Sequence, residues 1–190
     1  MGLNEDLFRA LNGAGNPLLD PLMIGLGVAG LLYVAFLWTL PLWFGRRRRD
    51  AVDLLGLLLI DAALVFLLKL AFAVPRPPTV MAVHFLAVPF DDVSDYSFPS
   101  GHTTRAFAAA LLLTVRRKDW RWGAPLFAYA SLMAVSRVYV GAHWPSDVVG
   151  GAFLGLAWAY AWERVTRTEA YGTRRDRLVH LLESLRGRRA

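Results

Sequence analysis

The sequence predicts an all-α, polytopic membrane helical bundle of about five transmembrane helices. Three observations carry that expectation. Hydrophobic residues make up 56% of the 190-residue chain, above the range usual for a soluble domain. They are gathered into long blocks, the form a bilayer-crossing helix takes. Basic residues stand between the blocks in clusters, at 46–49, at 116–121 and through 166–190.

Each element follows from its local pattern. Residues 3–12 read as a short interfacial helix. Asn4 suits an N-cap, Glu5 and Asp6 fill the first turn, and Gly13 can end it. Leu3, Leu7, Phe8 and Leu11 share one side. The first span covers 18–44, with Trp38, Trp43 and Phe44 at its far end in the manner of an aromatic belt, the reading given to the tryptophans generally. Arg46 to Arg49 form a tight basic turn. The second span covers 52–74, carries Asp61 and Lys69, and is ended by Pro75-Arg-Pro-Pro78. A long loop follows over 75–99, and its stretch 80–89 is apolar enough to lie on a membrane surface.

The third span starts near Ser100 and ends at Val115, the fourth covers 123–140, and the fifth covers 146–165. The residue before a proline tends to leave the α region, so the fifth helix begins at Pro145. Gly151-x-x-x-Gly155 permits close helix contact there. In the tail, Leu178, Leu181, Leu182 and Leu185 fall at helical spacing among charges, which predicts a helix on the membrane surface. The chain reads as one membrane-embedded domain over 1–190, with its core at 18–165 and a basic cytoplasmic tail at 166–190.

Five spans put every basic cluster on one side, which the positive-inside rule makes cytoplasmic. The N-terminus, the 75–99 loop and the 140–146 loop then face outward. The net charge of +6 therefore points to topology and lipid headgroups, not to nucleic acid. The chain has no cysteine, hence no disulfide or thiol chemistry. No cleavable signal is expected, since Glu5 and Asp6 stand where a signal peptide is basic.

The unusual polar groups gather at the outer side. Lys69 and Arg76 lie seven residues apart, nearly two helical turns, which would turn both the same way. Pro99-Ser-Gly-His102 sits where the outer loop meets the third helix. A helix N-terminus offers unpaired N–H groups to an anion; Ser100 adds a hydroxyl and Gly101 lets an anion approach the backbone. Arg137 lies near the outer end of the fourth helix. Asp147, near the third position of the fifth helix, can reach back to His143 and fix its tautomer. A carboxylate at that helix end is also favoured on structural grounds alone. Asp61 is expected to pair with a polar group on a neighbouring helix, Arg105 being the candidate. His84 and His180 read as solvated, and Asp91, Asp92 and Asp95 as a solvated acidic loop or a rim that repels anions.

Lys69-x6-Arg76-Pro77, Pro99-Ser-Gly-His102 and Ser136-Arg137-x5-His143-x3-Asp147 resemble the three signature motifs of the type 2 phosphatidic acid phosphatase superfamily, in the family's order and at every signature position. The resemblance implies a helical bundle with its site at the outer leaflet and a metal-independent lipid phosphatase that needs no cofactor. It implies that His143 attacks phosphorus, Asp147 orients it, and His102 protonates the leaving oxygen and then activates water. Lys69, Arg76 and Arg137 clamp the phosphate, with Ser100 and Gly101 completing the cradle. The implied partners are the bilayer and a lipid phosphate: a polyprenyl diphosphate such as undecaprenyl diphosphate, phosphatidate or phosphatidylglycerol phosphate. Two other readings stay open. One is a vanadate-dependent haloperoxidase-like oxidoreductase, since the same cradle holds vanadate in that branch. The other is a small membrane transporter whose charges line an ion path.

Overall fold

The computed structural model describes residues 2–91 and 94–187, with side chains as far as Leu185. The described residues fold into helices: α1 (Leu3–Asn12), α2 (Asp20–Ala29), α3 (Leu32–Phe36), a 3-10 turn (Leu37–Thr39), α4 (Leu40–Phe44), α5 (Arg48–Phe72), α6 (Pro77–Val80), α7 (Gly101–Arg117), α8 (Trp120–Tyr139), α9 (Pro145–Thr166) and α10 (Glu169–Gly187).

Helix α7 is the centre, packed on α9, α8 and α5. Its sequence explains why. Ala106, Ala108, Ala109, Ala110 and Leu112 are all buried, and small side chains let neighbouring backbones come near. Apolar side chains gain little by leaving lipid, so helices in a bilayer are held by close packing and interhelical hydrogen bonds. The α7–α9 contact is of that kind. A Cβ on Gly155 would meet the Thr104 carbonyl oxygen at 2.3 Å, and one on Gly151 would meet that of Ser100 at 2.9 Å. Close contact at Gly151-x-x-x-Gly155, which the sequence suggests, is therefore present. It sets the start of α9 against the start of α7, where the Ser100 N–H donates to the Asp147 carbonyl at 3.2 Å.

The opposite end of the bundle carries the basic clusters. Arg116 reaches Glu163 at 2.6 Å and Asp53 at 3.0 Å. Asp53 is fully buried and also accepts from Tyr171 and Arg175, each at 2.9 Å. Arg49 pairs with Asp176 at 2.8 Å, and Arg48 pairs with Glu183. The tail helix α10 is thus fastened to the base of the bundle by its polar side, while Leu178, Leu181, Leu182 and Leu185 remain exposed.

Several expectations need correction. The 18–44 run is not one straight helix; α2 and the helices of Leu32–Phe44 bend by 64° at Gly30-Leu31. Asn4 is not an N-cap of its own helix. Gly2 holds that position, and Asn4 instead accepts from the Ser146 N–H at 2.9 Å, at the N-terminus of α9. Three tryptophans point inward rather than to a belt, donating to backbone carbonyls: Trp144 to Pro75, Trp158 to Leu57 and Trp162 to Asp53.

Among the described residues, one helical stretch, Arg48–Val80, is long and apolar enough to cross a membrane, and the bent pair qualifies as a second only if taken together. Helices α7, α8 and α9 stand where the sequence predicts spans three to five. Polar side chains turned into the bundle, among them Thr103, Thr104, Arg105, Ser136, Arg137 and Asp147, dilute their apolar content.

Candidate active site

A cavity of about 180 Å³ opens where the end of α5, the start of α7 and the α8–α9 turn meet. Its walls include Lys69, Arg76, Gly101, His102 and His143. Arg137, Ser100 and Asp147 are buried beside it. The structure therefore brings all eight sequence-predicted residues to one end of the bundle.

Lys69 and Arg76 meet by a route other than the one their spacing suggests. Helix α5 ends at Phe72, and Ala73 takes the left-handed conformation with φ 48°. Arg76 then sits one residue before the short α6. The turned chain, not helical periodicity, aims both cations at one place, where they share a carboxylate. Lys69 Nζ donates to Asp95 Oδ2 at 2.5 Å and to the Tyr96 carbonyl at 2.6 Å. Arg76 donates to the same Asp95 carboxylate, with Nε at 3.1 Å from Oδ1.

Arg137 is fully buried, and its Nη2 donates to Asp91. Its Nε and Nη1 have no partner among the described residues. Buried donors left so are costly unless an anion takes them. Asp91 and Asp95 both sit on the cations; the Asp95 side chain stays 47% exposed, as a solvated loop would have it, whereas that of Asp91 is 11% exposed and departs from that expectation. Asp92 lies outside the described residues. His84 and His180 are exposed, as expected.

His143 lies in the turn after α8, 2% exposed in its side chain. Its Nδ1 faces Asp147 Oδ2 at 3.4 Å. Its Nε2 lies 3.3 Å from Arg76 Nη1, which also donates to the Ala142 carbonyl at 2.8 Å. A guanidinium only donates, so Nε2 is the bare nitrogen and Nδ1 carries the proton. Burial, with the cations Arg76, Arg137 and Lys69 nearby, pushes the His143 pKa well below the ordinary 6.5. The imidazole is neutral at pH 7, with its lone pair facing the cations.

Asp147 is held by its position on α9. Its Oδ2 accepts from the Trp144 N–H at 2.8 Å, closing the helix start, and from Ser97. The Ser97 hydroxyl also lies 3.4 Å from His143 Nδ1. Ser97 is a site residue that sequence reasoning missed; it is an ordinary loop serine until the chain folds. Ser100 stands at the N-cap position of α7 without a side-chain cap bond, its hydroxyl accepting instead from the Thr103 hydroxyl at 3.1 Å.

His102 Nε2 lies 3.1 Å from the Gly27 carbonyl oxygen. A carbonyl only accepts, so Nε2 bears hydrogen and Nδ1 is the atom free to exchange a proton. The bend after α2 provides this partner. Leu31 N–H turns to the Val28 carbonyl at 3.1 Å instead of to Gly27, so the Gly27 oxygen, which accepts from the Gly30 N–H at 3.2 Å, can also meet the histidine. Close approach requires glycine at the bend, since a Cβ on Gly30 would meet His102 Cδ2 at 2.6 Å. Asp61 and Arg105 pair as expected, at 3.9 Å.

Cations converging on a cavity, with a bare imidazole nitrogen among them, are the equipment of a phosphoryl-transfer enzyme, and the apolar bundle around them is that of a phosphatase for membrane lipids. Comparison with known proteins gives the family. The PAP2 superfamily model matches residues 50–170, and the chain belongs to that superfamily. It is 35% identical over 156 residues to the undecaprenyl-diphosphatase of Sulfolobus acidocaldarius, covering 82% of this chain and 74% of the relative. Among solved structures it resembles LpxE of Aquifex aeolicus, with a TM-score of 0.76 and 33% identity, over 86% of this chain and 96% of that one. It also resembles a transmembrane PAP2-type phosphatidylglycerolphosphate phosphatase from Bacillus subtilis, with a TM-score of 0.70 and 26% identity, over 85% of this chain and 83% of that one.

Proposed function

We propose that this phosphatase hydrolyses a lipid phosphomonoester or diphosphate through a phosphohistidine formed on His143. The observation that carries the proposal is the bare Nε2 of His143, 3.3 Å from the Arg76 guanidinium, with Nδ1 turned to Asp147. In the first step Nε2 attacks phosphorus in line, and the bond from phosphorus to the leaving oxygen breaks. The imidazole gains positive charge, which the Asp147 carboxylate stabilises through Nδ1–H. His102, entering this step as the imidazolium with hydrogen on both ring nitrogens, gives its Nδ1 proton to the leaving oxygen and is left neutral with hydrogen on Nε2. In the second step His102 takes a proton from water, the water oxygen attacks phosphorus, the P–N bond breaks, and inorganic phosphate leaves.

Lys69, Arg76 and Arg137 bind the phosphate oxygens, and Ser100 with the Gly101 N–H completes the cradle at the start of α7. The transition state asks mainly for positioning and charge stabilisation, and these groups supply both. The incoming phosphate takes over the cations that Asp91 and Asp95 hold.

The chain acts as one domain over 1–190, with a core at 18–165 and a tail at 166–190. The favoured topology has five crossings of the plasma membrane. Arg48, Arg49, Arg116 and the tail share one end of the bundle, held by the ion pairs of Asp53, Glu163, Asp176 and Glu183. The positive-inside rule makes that end and the C-terminus cytoplasmic, so the cavity faces outward. The substrate's tail stays in lipid while its phosphate rises to the site. Candidate substrates are a polyprenyl diphosphate such as undecaprenyl diphosphate, phosphatidate and phosphatidylglycerol phosphate.

A phosphate-release assay with the purified protein in chelator, across these lipids, tests the reading. Release from at least one of them is expected. Release from none, or bromide oxidation with added vanadate as the sole activity, would overturn it.

A further inference from the structure

Arg105 is the one buried cation on the cavity wall that the steps above do not use. It lies three residues after His102 on α7, one turn along and on the same face. Its side chain is 9% exposed, and it lines the cavity together with Lys69, Arg76 and His143.

Its contacts are those of an arginine with donors to spare. Nη1 donates to the Gly30 carbonyl at 2.6 Å, at the bend after α2. Nε stands 3.9 Å from Asp61 and has no hydrogen-bond partner among the described residues. Nη2 lies against Gly101, within 3.0 Å of where a Cβ would stand. Asp61 is fully buried on α5, and neither of its carboxylate oxygens has a hydrogen-bond partner among the described residues. A purely structural arginine–carboxylate pair closes to about 2.7–2.9 Å, usually in a fork. This pair stays open, so Asp61 balances the charge of Arg105 and holds it in place without consuming its donors.

In-line attack fixes which part of the substrate Arg105 meets. His143 stands on the nucleophile side. His102 marks the leaving-group side, and Arg105 is on the His102 face of α7. The leaving group of a monoester is an alcohol, which needs a proton and offers no charge to a buried guanidinium. The leaving group of a diphosphate is a lipid monophosphate, which carries negative charge as the P–O bond breaks. Leu32, Ala62, Val65 and Phe66 line the cavity as well and suit the first carbons of a lipid.

We propose that Arg105, positioned by Asp61, binds the phosphate next to the lipid in a diphosphate substrate and so favours diphosphates over monophosphates. The proposal rests on the phosphatase reading above and narrows its substrate class. Attack falls on the terminal phosphorus, the bond to the bridging oxygen breaks, and lipid monophosphate leaves held by Arg105.

The test compares a detergent-soluble prenyl diphosphate with the monophosphate of the same prenyl chain, using wild type, Arg105→Met, Arg105→Lys and Asp61→Asn. Wild type is expected to prefer the diphosphate. Arg105→Met is expected to lower kcat/KM for the diphosphate by about 10- to 100-fold, the worth of a charged hydrogen bond, with the monophosphate changed less than threefold. Arg105→Lys and Asp61→Asn should fall between, with the loss mostly in KM for the diphosphate. Competition in wild type supplies a readout independent of folding in the variants: inorganic diphosphate should inhibit more tightly than inorganic phosphate. Equal losses for both substrates, or no selective loss, would overturn the assignment while leaving the phosphatase reading intact, as would tighter inhibition by phosphate. A wild type inactive on both prenyl substrates but active on phosphatidate or phosphatidylglycerol phosphate would overturn this assignment alone, and one inactive on all of them would overturn the phosphatase reading with it.

Discussion

Arg76 Nη1 lies 3.3 Å from His143 Nε2 and 2.8 Å from the carbonyl oxygen of the residue before it, Ala142. One guanidinium thus fixes the turn that carries the histidine and stands beside its reactive nitrogen. A lysine keeps the charge but loses the fork. Arg76→Lys is expected to lower kcat by about 10²–10³, the usual loss for one transition-state donor. Steady-state kinetics with any accepted lipid phosphate checks this, and a change confined to KM would contradict it.

Ser97 ties Asp147 to the neighbourhood of His143. Removing its hydroxyl should loosen the carboxylate without emptying the site. Ser97→Ala is expected to cost about 3- to 10-fold in kcat/KM, the value of an ordinary hydrogen bond, with Tm nearly unchanged. Asp147→Asn should cost far more, about 10³–10⁴, because the imidazolium loses its counter-charge.

The pH profile follows from the direction of the His143 shift. Attack needs the neutral ring, and burial with the nearby cations holds its pKa well below 6.5. The neutral form is therefore present above that lowered value, and the loss of activity that His143 imposes comes as pH falls through it. The same burial means that the stability this group contributes is lost on acidification. The acid limb of kcat/KM for the free enzyme should lie below pH 6.5. A limb at or above 6.5 would contradict the assignment.

Asp95 pairs with Lys69 and Arg76, the cations proposed to bind phosphate. Asp95→Asn removes a charge of the same sign as the ligand. Inorganic phosphate or vanadate should inhibit this variant about 3- to 10-fold more tightly than wild type, a difference on the order of one exposed ion pair. Inhibition constants measure it directly, and equal or weaker inhibition would contradict the exchange of carboxylate for phosphate.

Much of this site is legible in the sequence because its chemistry needs particular residue types at fixed spacings. The reach of Asp147 back to His143 follows from a proline that starts α9, and Gly151-x-x-x-Gly155 announces the α7–α9 contact. What stays hidden depends on folding at a distance. The bend at Gly30 is concealed by the uniform apolarity of 18–44, yet it supplies the carbonyls that hold His102 and Arg105. Ser97, Asp91 and Asp95 look like ordinary loop residues, since contacts 46 residues away with His143 and Arg137, or 26 and 19 residues away with Lys69 and Arg76, leave no local pattern. Lys69 and Arg76 are found by their spacing for a reason that the turn at Ala73 replaces.

The central claim is the covalent bond between phosphorus and His143 Nε2. It is tested most directly by mixing purified protein with a substrate labelled in its terminal phosphate, quenching within the first turnovers, and following acid-labile, base-stable label on the protein. Wild type should carry the label, His143→Ala should carry none, and His102→Ala should retain it longer because water attack is slowed. Label on His143→Ala, or none on wild type during active turnover, would contradict the account.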